Sequence, residues 1–305
     1  MNSEPKIAIL LPCYNEALAI KDVIAEFKKA CPSATVYVYD NNSTDGTADI
    51  AKKAGAITRS VKPQGKGFVV QRMFLEIDAD IYVMADGDGT YDASYAPKLI
   101  DALIAESADM VVGVRKHESE KAYRRGHQLG NKLLTKSVEW ALGESVIDML
   151  SGFRVFNRKF VKSFPVQSKG FEIETEITVH ALSLHLKVVN IQTPYFDRVE
   201  GSSSKLRTFK DGFNILKTIG LLVKYERPMF LFSLIGFGLA VLSLVVGAVV
   251  VIEYIETGYV SRIPSAILAT GLMLSSLLSF ILGVILDSIA HGQKQNKKLH
   301  YLSTE

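Results

Sequence analysis

Two apolar stretches, Met229 to Ile252 and Pro264 to Leu286, carry at most one charge between them and constrain this chain more than any other feature. At about 1.5 Å per residue, each is long enough to cross a hydrocarbon core of roughly 30 Å. A hairpin buried in a soluble core would need a polar face on each helix, whereas Gly, Ala, Ser and Leu occur all round these two. The pair is therefore predicted to be a two-helix transmembrane hairpin. Lys205, Arg207, Lys210, Lys217, Lys224 and Arg227 precede the first span, and Lys294, Lys297 and Lys298 follow the second. The connecting segment Glu253 to Ile263 has only Arg262 as a basic residue. This asymmetry predicts that both ends are cytoplasmic and that the protein is integral to the cytoplasmic membrane. Met1 to Pro5 is polar and lacks a signal-peptide core, which agrees with a cytoplasmic amino-terminal part.

With 305 residues, a net charge of +3 and 48% hydrophobic residues, the rest of the chain has room for one full domain. The expected layout is a domain over 1–207, an amphipathic juxtamembrane helix over 208–228, the two spans within 229–290, and a cytoplasmic tail over 291–305. Phe209, Phe213, Leu216, Ile219 and Leu222-Val223 recur at helical spacing among lysines, the pattern of a helix lying on a membrane surface. Lys6 to Leu11, Val36 to Tyr39, Ile81 to Ala85 and Asp109 to Val114 read as buried strands. Helical periodicity follows several of them, as in Ile20, Val23, Ile24 and Phe27, and then in Ala48 to Ala54. Strand, loop and helix in alternation predict an α/β fold with a doubly wound, mainly parallel sheet, which binds ligands at the carboxyl ends of its strands.

The polar motifs lie at such ends. Asp86-Gly87-Asp88-Gly89-Thr90-Tyr91-Asp92 places three carboxylates in seven residues. Two carboxylates spaced i, i+2 around a glycine can turn oxygens toward one hard cation, Mg²⁺ or Mn²⁺, whose shell phosphates complete; a solvated Asp/Gly turn is the alternative. Asp40 can accept from a base or ribose, although the Asn41 to Gly46 string also suits a plain turn and helix cap. Gly65-Lys66-Gly67 lets backbone approach a phosphate with Lys66 as counter-charge, or is simply a loop. No Walker-type phosphate loop occurs. Cys13 and Cys31 are the only cysteines and read as ordinary thiols, while His180 and His185 read as a helix-surface pair without a third ligand.

Pro12-Cys13-Tyr14-Asn15-Glu16, the Asp40 loop, Gly65-Lys66-Gly67 and Asp86-Gly87-Asp88, in this order, resemble a family-2 inverting glycosyltransferase of the GT-A fold. More narrowly, the chain is similar to dolichol-phosphate mannose synthases and bacterial polyprenyl-phosphate glucosyltransferases with a carboxy-terminal membrane hairpin. The resemblance implies that Pro12, Tyr14, Glu16 and Asp40 border the nucleotide and that Asp86 and Asp88 hold the metal, Asp88 most directly. It departs at Thr90-Tyr91-Asp92, where such relatives often continue with Gln and prolines. It also implies an acceptor-phosphate role for Arg115 and Arg125, with Arg124 as a further candidate, and a donor-pyrophosphate role for Arg198, Ser204 and Lys205. On residues alone, the basic groups could instead face an anionic leaflet, and Arg198 to Arg207 could be a linker. Asp148 to Arg154 resembles the Ser-Gly-Phe-Arg segment of the family and suggests a pocket wall, while Glu174 and Glu176 read as helix-start residues that complement the macrodipole.

The expected activity is inverting transfer of a sugar from a nucleotide-diphosphate sugar, with UDP favoured and GDP-mannose as the other candidate, to polyprenyl phosphate. The product would be a lipid-linked monosaccharide for cell-envelope glycan modification. A nucleotide-sugar-binding membrane scaffold without turnover, or another lipid acceptor, are the alternatives. Processive polymerisation is disfavoured, because the one tryptophan, Trp140, follows Glu139 and not the Gln-x-x-Arg string of such enzymes. Nucleic acid is disfavoured because basic residues gather beside the spans. Small residues such as Gly236, Gly238 and Gly271 permit close helix packing, so a homo-oligomer is compatible with the sequence.

Overall fold

The computed structural model describes residues 4–117, 136, 139–140, 147–166, 170, 172–198, 224–225 and 227–304. These residues fall into two compact units, Met1–Leu216 with Lys297–Glu305, and Lys217–Asn296. Arg124, Arg125, Ser204, Lys205 and nearly all of the expected juxtamembrane helix lie outside the described residues.

The first unit is built on a sheet of strands β1 (Ile7–Cys13), β2 (Thr35–Asp40), β3 (Ile57–Ser60), β4 (Ile81–Met84), β5 (Met110–His117), β6 (Arg154–Asn157) and β7 (Val188–Tyr195). Their order is β3-β2-β1-β4-β6-β5-β7. All neighbours are parallel except β6, which runs antiparallel to both β4 and β5. The helices are α1 (Ile20–Ala30), α2 (Thr47–Lys53), α3 (Lys66–Glu76), α4 (Ala96–Ala105), α5 (Arg158–Ser163) and α6 (Ile173–Ser183). The expected doubly wound, mainly parallel sheet is present.

Helices on both faces explain why the strands read as unbroken apolar runs. In β1, Ile9 and Leu11 point into a core shared with Ile20, Ile24 and Phe27 of α1 and Leu99 of α4. Ala8 and Leu10 point the other way, into a core with Val70 and Phe74 of α3, Phe160 of α5 and Ile177 of α6. On this second face the structure corrects the reading of His180 as a surface residue. His180 is buried, with its ring 4.9 Å from that of Phe164 and 5.6 Å from that of Phe160. Helix α6 carries buried residues around most of its girth, so no exposed stripe was available for it.

The second unit contains α7 (Pro228–Thr257) and most of α8 (Ile263–Ser303), both long and apolar enough to cross a membrane. Ser243 donates to the Ala269 carbonyl and Ser276 to the Gly236 carbonyl, each at 2.7 Å. A Cβ on Gly236 would stand 3.0 Å from the Ser276 carbonyl, so the absent side chain permits this approach. Helix α8 runs on past the expected span, and its last residues belong to the sheet unit. There Tyr301 is buried and donates to the Asp109 carboxylate, with Lys159 Nζ 5.1 Å from the centre of its ring.

Candidate active site

The carboxyl ends of β1, β2, β4, β5 and β7, together with the start of the reversed strand β6, bring the polar motifs to one rim of the sheet. At β1 and β2 the loops are laced to each other. Asn15 adopts a left-handed backbone (φ 54), accepts from Thr44 N at 2.8 Å through its side chain, and donates its own N–H to Ser43 at 2.8 Å. The N–H of Glu16 donates to Thr47 Oγ1 at 2.9 Å, and Glu16 itself is buried, whereas Tyr14 is 38% exposed. Pro12 lies in β1 opposite Tyr39. Asp40 is buried; its Oδ2 accepts from Ser43 N at 3.0 Å, while Oδ1 has no partner among the described residues. A buried carboxylate oxygen left in this way suits an N–H donor from outside the chain, such as a nucleobase.

Lys66 opens α3, behind Gly65 (φ 137), whose N–H is held by Asn41 Oδ1 at 2.7 Å. Its ammonium bridges Asp86 Oδ1, at 2.5 Å, and Glu174 Oε1 of α6. Burial opposes the charge on Lys66, but the two carboxylates outweigh it and hold its pKa above the ordinary lysine value. The structure thus gives Glu174 a partner at the site, beyond the helix-start role read from sequence.

Asp88 sits deeper. Its Oδ1 accepts from Thr90 N at 3.2 Å and Thr90 Oγ1 at 2.7 Å, and its Oδ2 is paired with Arg198 Nη2 at 2.7 Å. Burial, reinforced by the Asp86 charge, raises its pKa above the usual carboxylate range despite Arg198. Two glycines make this packing possible: a Cβ on Gly87 would fall 2.4 Å from Cys13 Sγ, and one on Gly152 would fall 2.8 Å from Asp86 Oδ2.

Arg115, at the end of β5, is gripped by Asp148, with Nε to Oδ2 and Nη2 to Oδ1 both at 2.8 Å, and its guanidinium lies 5.4 Å from the Tyr195 ring centre. Burial disfavours ionised Asp148, but the Arg115 fork prevails and lowers its pKa. The loop bearing Asp148 is fixed from beneath by Arg154. That fully buried side chain donates to the carbonyls of Ser151 at 2.8 Å and Met149 at 2.7 Å, and to Thr178 Oγ1 at 2.9 Å. Burial pulls its pKa down to about 10. Ser151 Oγ reaches the Gly113 carbonyl at 2.5 Å, and the N–H of Gly152 reaches the Tyr91 hydroxyl at 2.7 Å. The segment Asp148 to Arg154 therefore backs both Asp86 and Arg115.

No group of three or more His, Cys, Asp or Glu residues gathers to hold a metal among the described residues. Asp86 and Asp88 can supply only part of a hard cation's oxygen shell. That donor set fits a divalent ion whose remaining ligands are phosphate and water.

The profile of glycosyl transferase family 2 matches residues 8–164, the β1–α5 region that carries most of this rim. The chain belongs to this family. Among curated relatives of this family-2 glycosyltransferase, glycosyltransferase AglJ of Haloferax volcanii is 32% identical over 301 residues, covering 98% of each chain. A dolichyl-phosphate hexose transferase of the same organism is 28% identical over 221 residues, covering 72% of this chain and 95% of that one. Glucosyl-3-phosphoglycerate synthase from Mycobacterium tuberculosis, solved with Mn²⁺, UDP and phosphoglyceric acid, superposes with a TM-score of 0.59 at 20% identity, covering 72% of this chain and 78% of that one. The likeness to that structure shows the GT-A-type fold read from the sequence.

Proposed function

We propose that this family-2 glycosyltransferase moves a sugar from a UDP-sugar, or from GDP-mannose, to a polyprenyl phosphate at the cytoplasmic face of the membrane, with inversion at the anomeric carbon. The observation that carries this reading is the facing of charges on one rim. The Asp86 and Asp88 carboxylates stand with Lys66 and Arg198, and Arg115 is oriented by Asp148 behind them. The polyprenyl-phosphate relatives and the two apolar helices support a lipid acceptor.

The acceptor phosphate is ionised near neutral pH, so the chain needs no strong general base. It must instead hold two anions in line and stabilise the departing nucleoside diphosphate. In this reading, Pro12, Tyr14, Glu16 and Asp40 border the nucleotide, with the open Oδ1 of Asp40 accepting from the base. Asp86 and Asp88 would hold Mg²⁺ or Mn²⁺, which neutralises charge on the leaving diphosphate. Arg198, with Ser204 and Lys205, would bind the diphosphate. Arg115, with Arg124 and Arg125, would take the acceptor phosphate; the bidentate grip of Asp148 fixes the Arg115 rotamer before the acceptor arrives.

The test is transfer of radiolabel from a panel of UDP- and GDP-sugars into the lipid phase, by the full chain in detergent with polyprenyl phosphate and Mg²⁺ or Mn²⁺. Transfer that requires acceptor phosphate and metal, and that falls by about a thousandfold in Asp88→Ala, is expected. Tight nucleotide-sugar binding without lipid product from any donor would overturn it.

A further inference from the structure

Asp88 is the more confined of the two motif carboxylates, with a side chain 3% exposed against 30% for Asp86. Its Oδ1 already accepts two hydrogen bonds from Thr90, so Oδ2 is the oxygen that would serve an incoming cation. Arg198 is paired to that same oxygen. The main chain fixes the arrangement: Phe196 N donates to the Thr90 carbonyl at 2.9 Å, and Tyr91 and Tyr195 form a β-bridge with their rings 5.2 Å apart. The loop bearing Asp88 and the segment bearing Arg198 are thus joined immediately beside the ion pair. A carboxylate this buried would otherwise hold an uncompensated charge.

We propose that Arg198 is the resident counter-ion of Asp88, which the divalent cation must displace and the donor diphosphate then receives, so that cation and nucleotide bind cooperatively. This rests on the donor-site reading above. A guanidinium binds phosphate oxygens in the same forked manner as a carboxylate, so the side chain exchanges one anion for another. The exchange makes each ligand raise the affinity of the other by the same factor. Cation alone must break the pair before the diphosphate is there to receive Arg198, and nucleotide alone must draw Arg198 away from a carboxylate left bare.

The experiment is Mn²⁺ binding to the full chain in detergent at pH 8, read from the electron-paramagnetic-resonance signal of free Mn²⁺, with and without UDP. The wild type should bind Mn²⁺ at least about tenfold more tightly with UDP than without. Arg198→Gln should bind Mn²⁺ alone about tenfold more tightly than the wild type, and the gain from UDP should shrink. Arg198→Lys, which keeps the charge and loses the fork, should lie between them and serves if the glutamine variant does not fold. Replacements that leave the affinity for Mn²⁺ alone unchanged or weaker, while UDP still strengthens it as in the wild type, overturn the counter-ion role. Asp88→Asn separates the two readings. If it binds Mn²⁺ as the wild type does, or if no protein binds Mn²⁺ even with UDP, the donor-site reading fails and the counter-ion role falls with it.

Discussion

The sheet unit and the α7–α8 pair bury polar groups under opposite rules. Around the rim of the sheet, full charges are taken inside and matched: Lys66 with Asp86 and Glu174, Arg115 with Asp148, and Arg154 with main-chain carbonyls. Between the two apolar helices, the polar contacts are neutral hydroxyls on carbonyls, buried from Ser243 to Ala269 and half-buried from Ser276 to Gly236. Buried ion pairs add little net stability, yet they fix direction, which a site handling anions requires. Hydroxyl-to-carbonyl contacts leave helices uncharged and close together, which is what a hydrocarbon surrounding tolerates. Removing one partner should therefore hurt the sheet unit badly and the helix pair only slightly.

The largest difference is expected at Lys66. Lys66→Met leaves Asp86 and Glu174 as adjacent, uncompensated carboxylates and should lower the stability of the sheet unit by about 3–5 kcal/mol in denaturant melts. Adding Glu174→Gln should restore part of that loss. Additive losses in the double variant would show that the two side chains do not act as a unit.

A somewhat smaller effect should come from pH. Burial, with a contribution from Lys297, lowers the His180 pKa to about 4, so the folded protein keeps the ring neutral while the unfolded chain protonates near its ordinary value of 6.5. The stabilisation is complete above about pH 6.5 and is lost as pH falls toward 4, by on the order of 3 kcal/mol. Thermal melts of His180→Leu between pH 7 and 4 should show a flatter slope than the wild type; parallel slopes would refute the assignment. The smallest change belongs to the helices. Ser243→Ala should weaken the α7–α8 pair by only about 0.6 kcal/mol, measured by unfolding in detergent. A loss as large as that at Lys66 would end the contrast between the units.

The same contrast governs how much of the molecule is legible in its amino-acid order. The apolar helices are legible because composition alone separates them, and strands β1, β2, β4 and β5 because both faces are covered. Strand β3, Ile57–Ser60, is largely exposed and carries no such run, and β6 opens on an arginine, so its residues look polar although that side chain is wholly buried. Asp86 and Asp88 stand in one short string and are visible at once. Glu174 lies 108 residues from Lys66, and Asp148 lies 33 from Arg115, so their parts in the site depend on tertiary approach that local pattern does not encode. His180 reads wrongly as a surface residue for a related reason, since α6 is buried on several sides and lacks the amphipathic stripe from which exposure is judged.

The docking of Tyr301 on Asp109 bears on how this protein is made. The unit that opens with β1 at Ile7 takes a buried aromatic from the last turn of α8, near the far end of the chain. On the ribosome, the sheet must wait with that position uncovered until α7 and α8 have been translated. Completion of the sheet unit thus follows synthesis of the hairpin, and a ribosome stalled between the two would hold an unfinished domain.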